Sequence, residues 1–122
     1  MTKQRSLLAE FEREYAQFVQ DGGIDSGRLW KLGGYARDMA DQAGGEHRLL
    51  AYVLRSTLFD LAERLVDVPI TPGKADLILL ALTTPVRAAT AALKGPISAD
   101  QAVRLADRLL DARNVALRQP HG

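Results

Sequence analysis

Residues 75–93 read ADLILLALTTPVRAATAAL and are charged only at Asp76 and Arg87. Over residues 77–86 there is no charge, amide or histidine. A helix that is apolar all round has to be covered all round. The stretch is therefore expected to form the interior of a small helical domain. Thr71 and Pro72 open it, a capping hydroxyl followed by proline at the first helical position. Thr84 and Pro85 repeat that signature, and an interior proline costs about 3 kcal/mol or more. The sequence thus predicts a break at Pro85, with one helix over 72–83 and a shorter one over 85–93. The stretch has the length of a membrane span, but Asp76, Pro85 and Arg87 interrupt the run of about 20 mainly apolar residues that a span needs, and no span is expected.

On the N-terminal side, the 3.6-residue period predicts three helices. Over residues 3–20, Leu7, Leu8, Phe11, Tyr15, Phe18 and Val19 share one arc, and glycines at 22 and 23 permit a left-handed exit. A second helix over 26–42, capped by Ser26, has an arc rich in alanine. Gly33 and Gly34 inside it cost up to about 1 kcal/mol each against alanine and leave room for a kink. A third, over 46–66, carries Leu50, Leu54, Leu58, Leu61 and Leu65 on one face and a second strip of Tyr52, Phe59 and Val66. Asp60 and Arg64 are spaced as a favourable i,i+4 pair. On the C-terminal side, Ser98 and Gln101 form a capping box for a last helix running to about residue 117. Residues 118–122 are expected to fray. No strand-length segment alternates with a period of two. The fold class predicted is all-α, a single domain of five to six helices over residues 1–122 in which the third helix and the 75–93 stretch form the interior.

A chain of 122 residues suits one domain with its own core. It has no cysteine, which excludes disulfides, thiolate metal sites and a cysteine nucleophile and is compatible with a cytoplasmic location. The formal net charge is +1; residues 1–61 hold eight Lys/Arg and nine Asp/Glu, and residues 62–122 hold eight and six. Neither half is a polyelectrolyte, so charge alone points neither to nucleic acid nor to an anionic membrane. The opening MTKQRSLLAEFERE lacks the apolar centre of a signal peptide.

No catalytic, metal or cofactor set emerges. His47 projects onto the leucine side of the third helix near its start, and His121 lies in the tail. There is no HxxxH or ExxH spacing for zinc. Asp107 and Asp111, and Asp38 and Asp41, fall on polar helix faces among arginines and read as solvated pairs rather than as acid/base dyads. The C-terminal pair of helices over 85–117 has about the lengths of a helix-turn-helix. However, Asp100, Asp107 and Asp111 interleave with Arg104, Arg108 and Arg118 on the face that would meet DNA, which cancels the field phosphate binding needs.

Two arginines lie in apolar surroundings, Arg87 within the 75–93 stretch and Arg113 in the middle of the last helix's apolar arc. Both are candidate contacts for an anionic ligand between helices. Four of the seven aromatic residues, Trp30, Tyr35, Tyr52 and Phe59, fall off the main stripe of their helices, near Arg37, Arg48 and Arg55. Exposed aromatics beside arginine have the composition of interface cores; alternatively, a third helix buried from two sides would take Tyr52 and Phe59 into the core. The functional expectation is a non-enzymatic protein–protein interaction module binding another protein or itself, with Trp30, Tyr35, Arg37, Tyr52, Arg55 and Phe59 as its contact residues and no cofactor. A DNA-binding regulator and a binder of small acidic ligands are the alternatives.

Overall fold

The computed structural model describes the backbone of residues 3–118 and the side chains of residues 7–118; the expectations for the tail and His121 fall outside the described residues. The described chain is all α-helix, in five elements: α1 (Lys3–Asp21), α2 (Ser26–Gln42), α3 (Gly45–Leu65), α4 (Pro72–Ala92) and α5 (Ala99–Arg118). The helices are packed side by side in the order α1, α2, α3, α5, α4, with a light closing contact between α4 and α1. Cross-links fix their directions. Lys31–Glu14 and Arg28–Asp21 tie α2 antiparallel to α1. His47 to Gly95 and Asp60 to Arg113 set α3 and α5 running the same way. Tyr15–Thr83 and Glu12–Lys94 set α4 antiparallel to α1.

The starts and stops follow local chemistry. Gly22 takes φ +73°, the left-handed exit after α1. The cap of α2 is Asp25, one residue before the expected Ser26: its Oδ1 accepts from the Gly27 amide at 2.8 Å, satisfying one of the free donors of the first turn. Thr71 caps α4 by accepting from the Lys74 amide, with Pro72 in the first turn. Ser98 accepts from the Gln101 amide ahead of α5.

The core is built from the expected arcs. Phe11, Phe18, Leu29, Leu32, Leu50 and Leu54 are among its fully buried side chains, and Leu58, Leu61, Ile78, Leu82 and Leu109 complete it. Gly33 and Gly34 neither split nor end α2.

Two expectations about the 75–93 stretch are corrected. First, α4 is one continuous helix with Pro85 inside it. A proline deletes only one donor and displaces only the carbonyl a turn before it, and packing of Leu82, Val86 and Ala89 on either side of that point, all buried, holds the helix together. Second, α4 is not covered all round. Its main neighbour is α5. Ile78, Leu79, Leu82, Val86 and Ala89 face inward, while Leu77 and Leu80 are 48% and 75% exposed. By length and composition α4 is apolar enough to cross a membrane, though 39% of its most apolar window is buried in the fold. α3 lies between α2 and α5 and packs extensively on both, with Leu49 and Tyr52 left exposed on its outer side.

Candidate functional site

The turn at Ala43 and Gly44 folds α3 back along α2, and these two helices share the most extensive contact in the molecule. Gly33 explains how close they come. It is buried, and a β-carbon built on it would lie 2.3 Å from Cδ1 of Phe59. The Phe59 ring therefore packs against the α2 backbone at a position only glycine leaves open. It also meets Trp30, one turn before Gly33 on α2, with ring centroids 4.9 Å apart and planes tilted by 42°. The guanidinium of Arg55, one turn before Phe59, sits 4.4 Å from the Tyr52 ring centre and 5.7 Å from that of Phe59.

Trp30, Phe59, Arg55 and Tyr52 thus form one row across the outer face of α2 and α3. Phe59 is half-buried at its centre, whereas Trp30 and Tyr52 are 45% and 49% exposed at its ends. Arg55 enters no ion pair among the described residues, and its buried Nε has no hydrogen-bond partner there. A cation held over two rings, with no ion pair of its own among the described residues, can receive a carboxylate at its terminal nitrogens while the rings beside it take apolar surface; its buried Nε lies out of a partner's reach.

The other residues named from sequence do not join this row. Tyr35 turns toward α1 and packs against the core; loss of solvent and the neighbouring Glu10 push its hydroxyl pKa up. Arg37 is exposed and pairs with its neighbour Asp38 at 3.2 Å. Arg48 bonds through Nε to the carbonyls of Ala40 and Ala43, closing the C-terminal end of α2. Arg113 is engaged, donating to Asp60 at 2.8 Å. The expected Asp60–Arg64 pair is thereby replaced by a link between α3 and α5. Arg87 is exposed at the rim of a hollow of about 330 Å³ between α1 and α4. The floor of that hollow is closed: Phe11, Tyr15 and Val86 are each at most 2% exposed.

A larger depression, about 770 Å³, opens at the end of the bundle where the α2–α3 and α4–α5 turns meet α1. Leu8, Ala43 and Leu93 floor it, the Glu12–Lys94 pair crosses it, and His47 at its edge bonds through Nε2 to the Gly95 carbonyl at 2.7 Å. That bond gives His47 a structural task, tying α3 to the α4–α5 turn. Among the described residues no three His, Asp or Glu side chains are grouped so as to hold a metal ion.

The helix-turn-helix geometry lacks its short first helix, because residues 85–92 continue α4. Arg104 and Arg108 are exposed on α5 alongside Asp100, Asp107 and Asp111.

Sequence reading missed the outer face of α4, with Leu77 and Leu80, and Val103 on α5, which is half exposed. Periodicity cannot orient a helix whose every face is apolar, so no signal separated Leu77 and Leu80 from the core leucines of α4. No protein-family model matches the chain, and no curated protein or solved structure is detectably similar to it.

Proposed function

We propose that the protein is a non-enzymatic interaction module that docks a partner protein on the Trp30–Phe59–Arg55–Tyr52 row. The observation that carries this reading is the arginine stacked on Tyr52 and Phe59 and in no ion pair among the described residues, flanked by two aromatic side chains that remain half exposed on closely packed helices. Aromatic residues and arginine dominate the energetic centres of protein interfaces; the rings present large contact area with few rotatable bonds to fix, and stacking on two rings already restrains the Arg55 side chain. Rigid support adds to that, since a surface already in its bound shape loses less entropy on docking. The partner chemistry that fits is an apolar side chain next to a carboxylate. Absence of cysteine and a charge-balanced sequence go with a cytoplasmic adaptor, regulator or assembly subunit.

The test is recovery of bound protein from the source cells with tagged wild type, Trp30→Ala and Arg55→Gln. Specific binders that are held by wild type and lost from both variants, with helical content unchanged, support the reading. Equal recovery by all three, or nothing specific on any, overturns it.

A further inference from the structure

The exposed side of α4 has a charge arrangement that fits a second copy of itself. Asp76, Leu77, Leu80, Thr84, Arg87 and Ala91 are its exposed residues from position 76 onward, with Ala81 and Ala88 half-buried among them. Leu80 is the most exposed large apolar side chain in the described molecule, at 75%. Asp76 and Arg87 stand eleven residues apart, close to three helical turns or about 16 Å along one stripe. They bracket an apolar strip with an acid at one end and a base at the other. Neither enters an ion pair among the described residues.

Such a strip is self-complementary under a two-fold axis. When two α4 helices pack antiparallel with the axis beside Ala81, Asp76 of each copy meets Arg87 of the other, so two identical ion pairs close the ends. Leu80 then packs on Leu80 and Thr84 of the second copy, and Leu77 on Thr84 and Ala88. The small side chains at 81, 84 and 88 let the helix axes approach to about 8–10 Å. A parallel pairing would bring acid onto acid and base onto base. We propose that the protein forms a homodimer through antiparallel α4 helices, an isologous contact of the kind most soluble oligomers use. α4 lies across the ring of helices from the aromatic row, so this contact and the docking of a partner on α2 and α3 are independent, and either assignment can fail alone.

The test is sedimentation equilibrium over a wide concentration range at low and moderate salt. Wild type is expected to dimerise with a micromolar dissociation constant, since one helix pair lies at the small end of specific interfaces. Leu80→Glu should weaken the dimer about a hundredfold or more, because both copies carry the change at its centre, and should leave the melting temperature unchanged when both proteins are melted below the wild-type dissociation constant, where each is monomeric. Asp76→Arg and Arg87→Asp should each weaken it by roughly tenfold, and the double exchange should restore it. Trp30→Ala should leave it intact. A wild type monomeric to millimolar concentration, a dimer indifferent to Leu80→Glu, or a double exchange as weak as either single one overturns the proposal. So does binding to zwitterionic or anionic vesicles that Leu80→Glu abolishes while the wild type stays monomeric in solution, which would give the face to lipid.

Discussion

The ring of Phe59 occupies the space where a side chain at position 33 would be: a β-carbon on Gly33 would stand 2.3 Å from Cδ1 and 2.4 Å from Cε1. Phe59 in turn bears Trp30 and faces Arg55. One missing methyl therefore sets both the approach of α2 to α3 and the spacing of the exposed row.

Gly33→Ala should accordingly destabilise the protein, although alanine is the better helix former by about 1 kcal/mol. Displacing a packed ring costs typically 1–3 kcal/mol; two ring carbons lie well inside contact distance here, which puts the cost in the upper part of that range, about 2–3 kcal/mol, and the net loss at about 1–2 kcal/mol. The Trp30–Phe59 contact should move with it, visible as a change in tryptophan fluorescence. Gly34→Ala is the control. Nothing lies within 4 Å of a β-carbon there, so propensity acts alone and stability should rise by about 0.5–1 kcal/mol. Urea titrations of the two variants, with opposite signs, check the pair.

Asp60 offers a choice between Arg64 on its own helix and Arg113 on α5, and takes Arg113 at 2.8 Å. A double-mutant cycle of Asp60→Ala with Arg113→Ala should therefore show coupling of about 0.5–1 kcal/mol, and the cycle with Arg64→Ala close to none. The first figure is kept low because the two side chains are 26% and 45% exposed, which leaves the pair partly screened by water.

Asp60 also illustrates where sequence reading stops. The i,i+4 rule knows only one helix, so it offered Arg64, while the winning partner lies 53 residues away. Amphipathic helices were legible for the same reason in reverse: α1 and α5 each have a polar side that says which way they face. α4 has none, so its leucines could not be sorted, and Leu77 and Leu80 went to the core with Ile78 and Leu82. Trp30 and Tyr52 were legible as off-stripe and are half exposed. Tyr35 has the same signature but is claimed by α1, a neighbour that no pattern within α2 reveals. Pro85 shows the remaining kind of miss, a strong local penalty outweighed by packing of buried residues on either side.

Thr57 is fully buried on α3, and its hydroxyl has no hydrogen-bond partner among the described residues. An unsatisfied buried hydroxyl costs about 1–3 kcal/mol. Valine has nearly the same shape and no polar atom. Thr57→Val should therefore stabilise the protein by about 1 kcal/mol. Thr57→Ser, which keeps the hydroxyl and loses the methyl, should destabilise it by a similar amount through the void left behind. Thermal unfolding of both variants at one pH decides this. A loss on going to valine would show that the hydroxyl is satisfied in solution.

Tyr15 is 2% exposed and hydrogen-bonds to Thr83 Oγ1 at 3.3 Å. The Thr83 hydroxyl itself donates to the Leu79 carbonyl at 2.6 Å, so its single proton is spent and the phenol must be the donor to it. Burial pushes the Tyr15 pKa up to about 12, against smaller opposing pulls from Thr83 and Arg87. The folded state thus holds the proton more tightly than the unfolded chain, whose tyrosine titrates near 10. The resulting stabilisation is complete below pH 10 and is lost as pH rises from 10 through about 12. Over that window wild type should lose up to about 2–3 kcal/mol that Tyr15→Phe does not lose. Near neutral pH the variant should differ from wild type by only about 1 kcal/mol, the net worth of one hydrogen bond. Urea unfolding of both proteins at pH 8, 10 and 11.5 measures the difference directly, and parallel curves for the two would show that the phenol of Tyr15 reaches water in the folded protein.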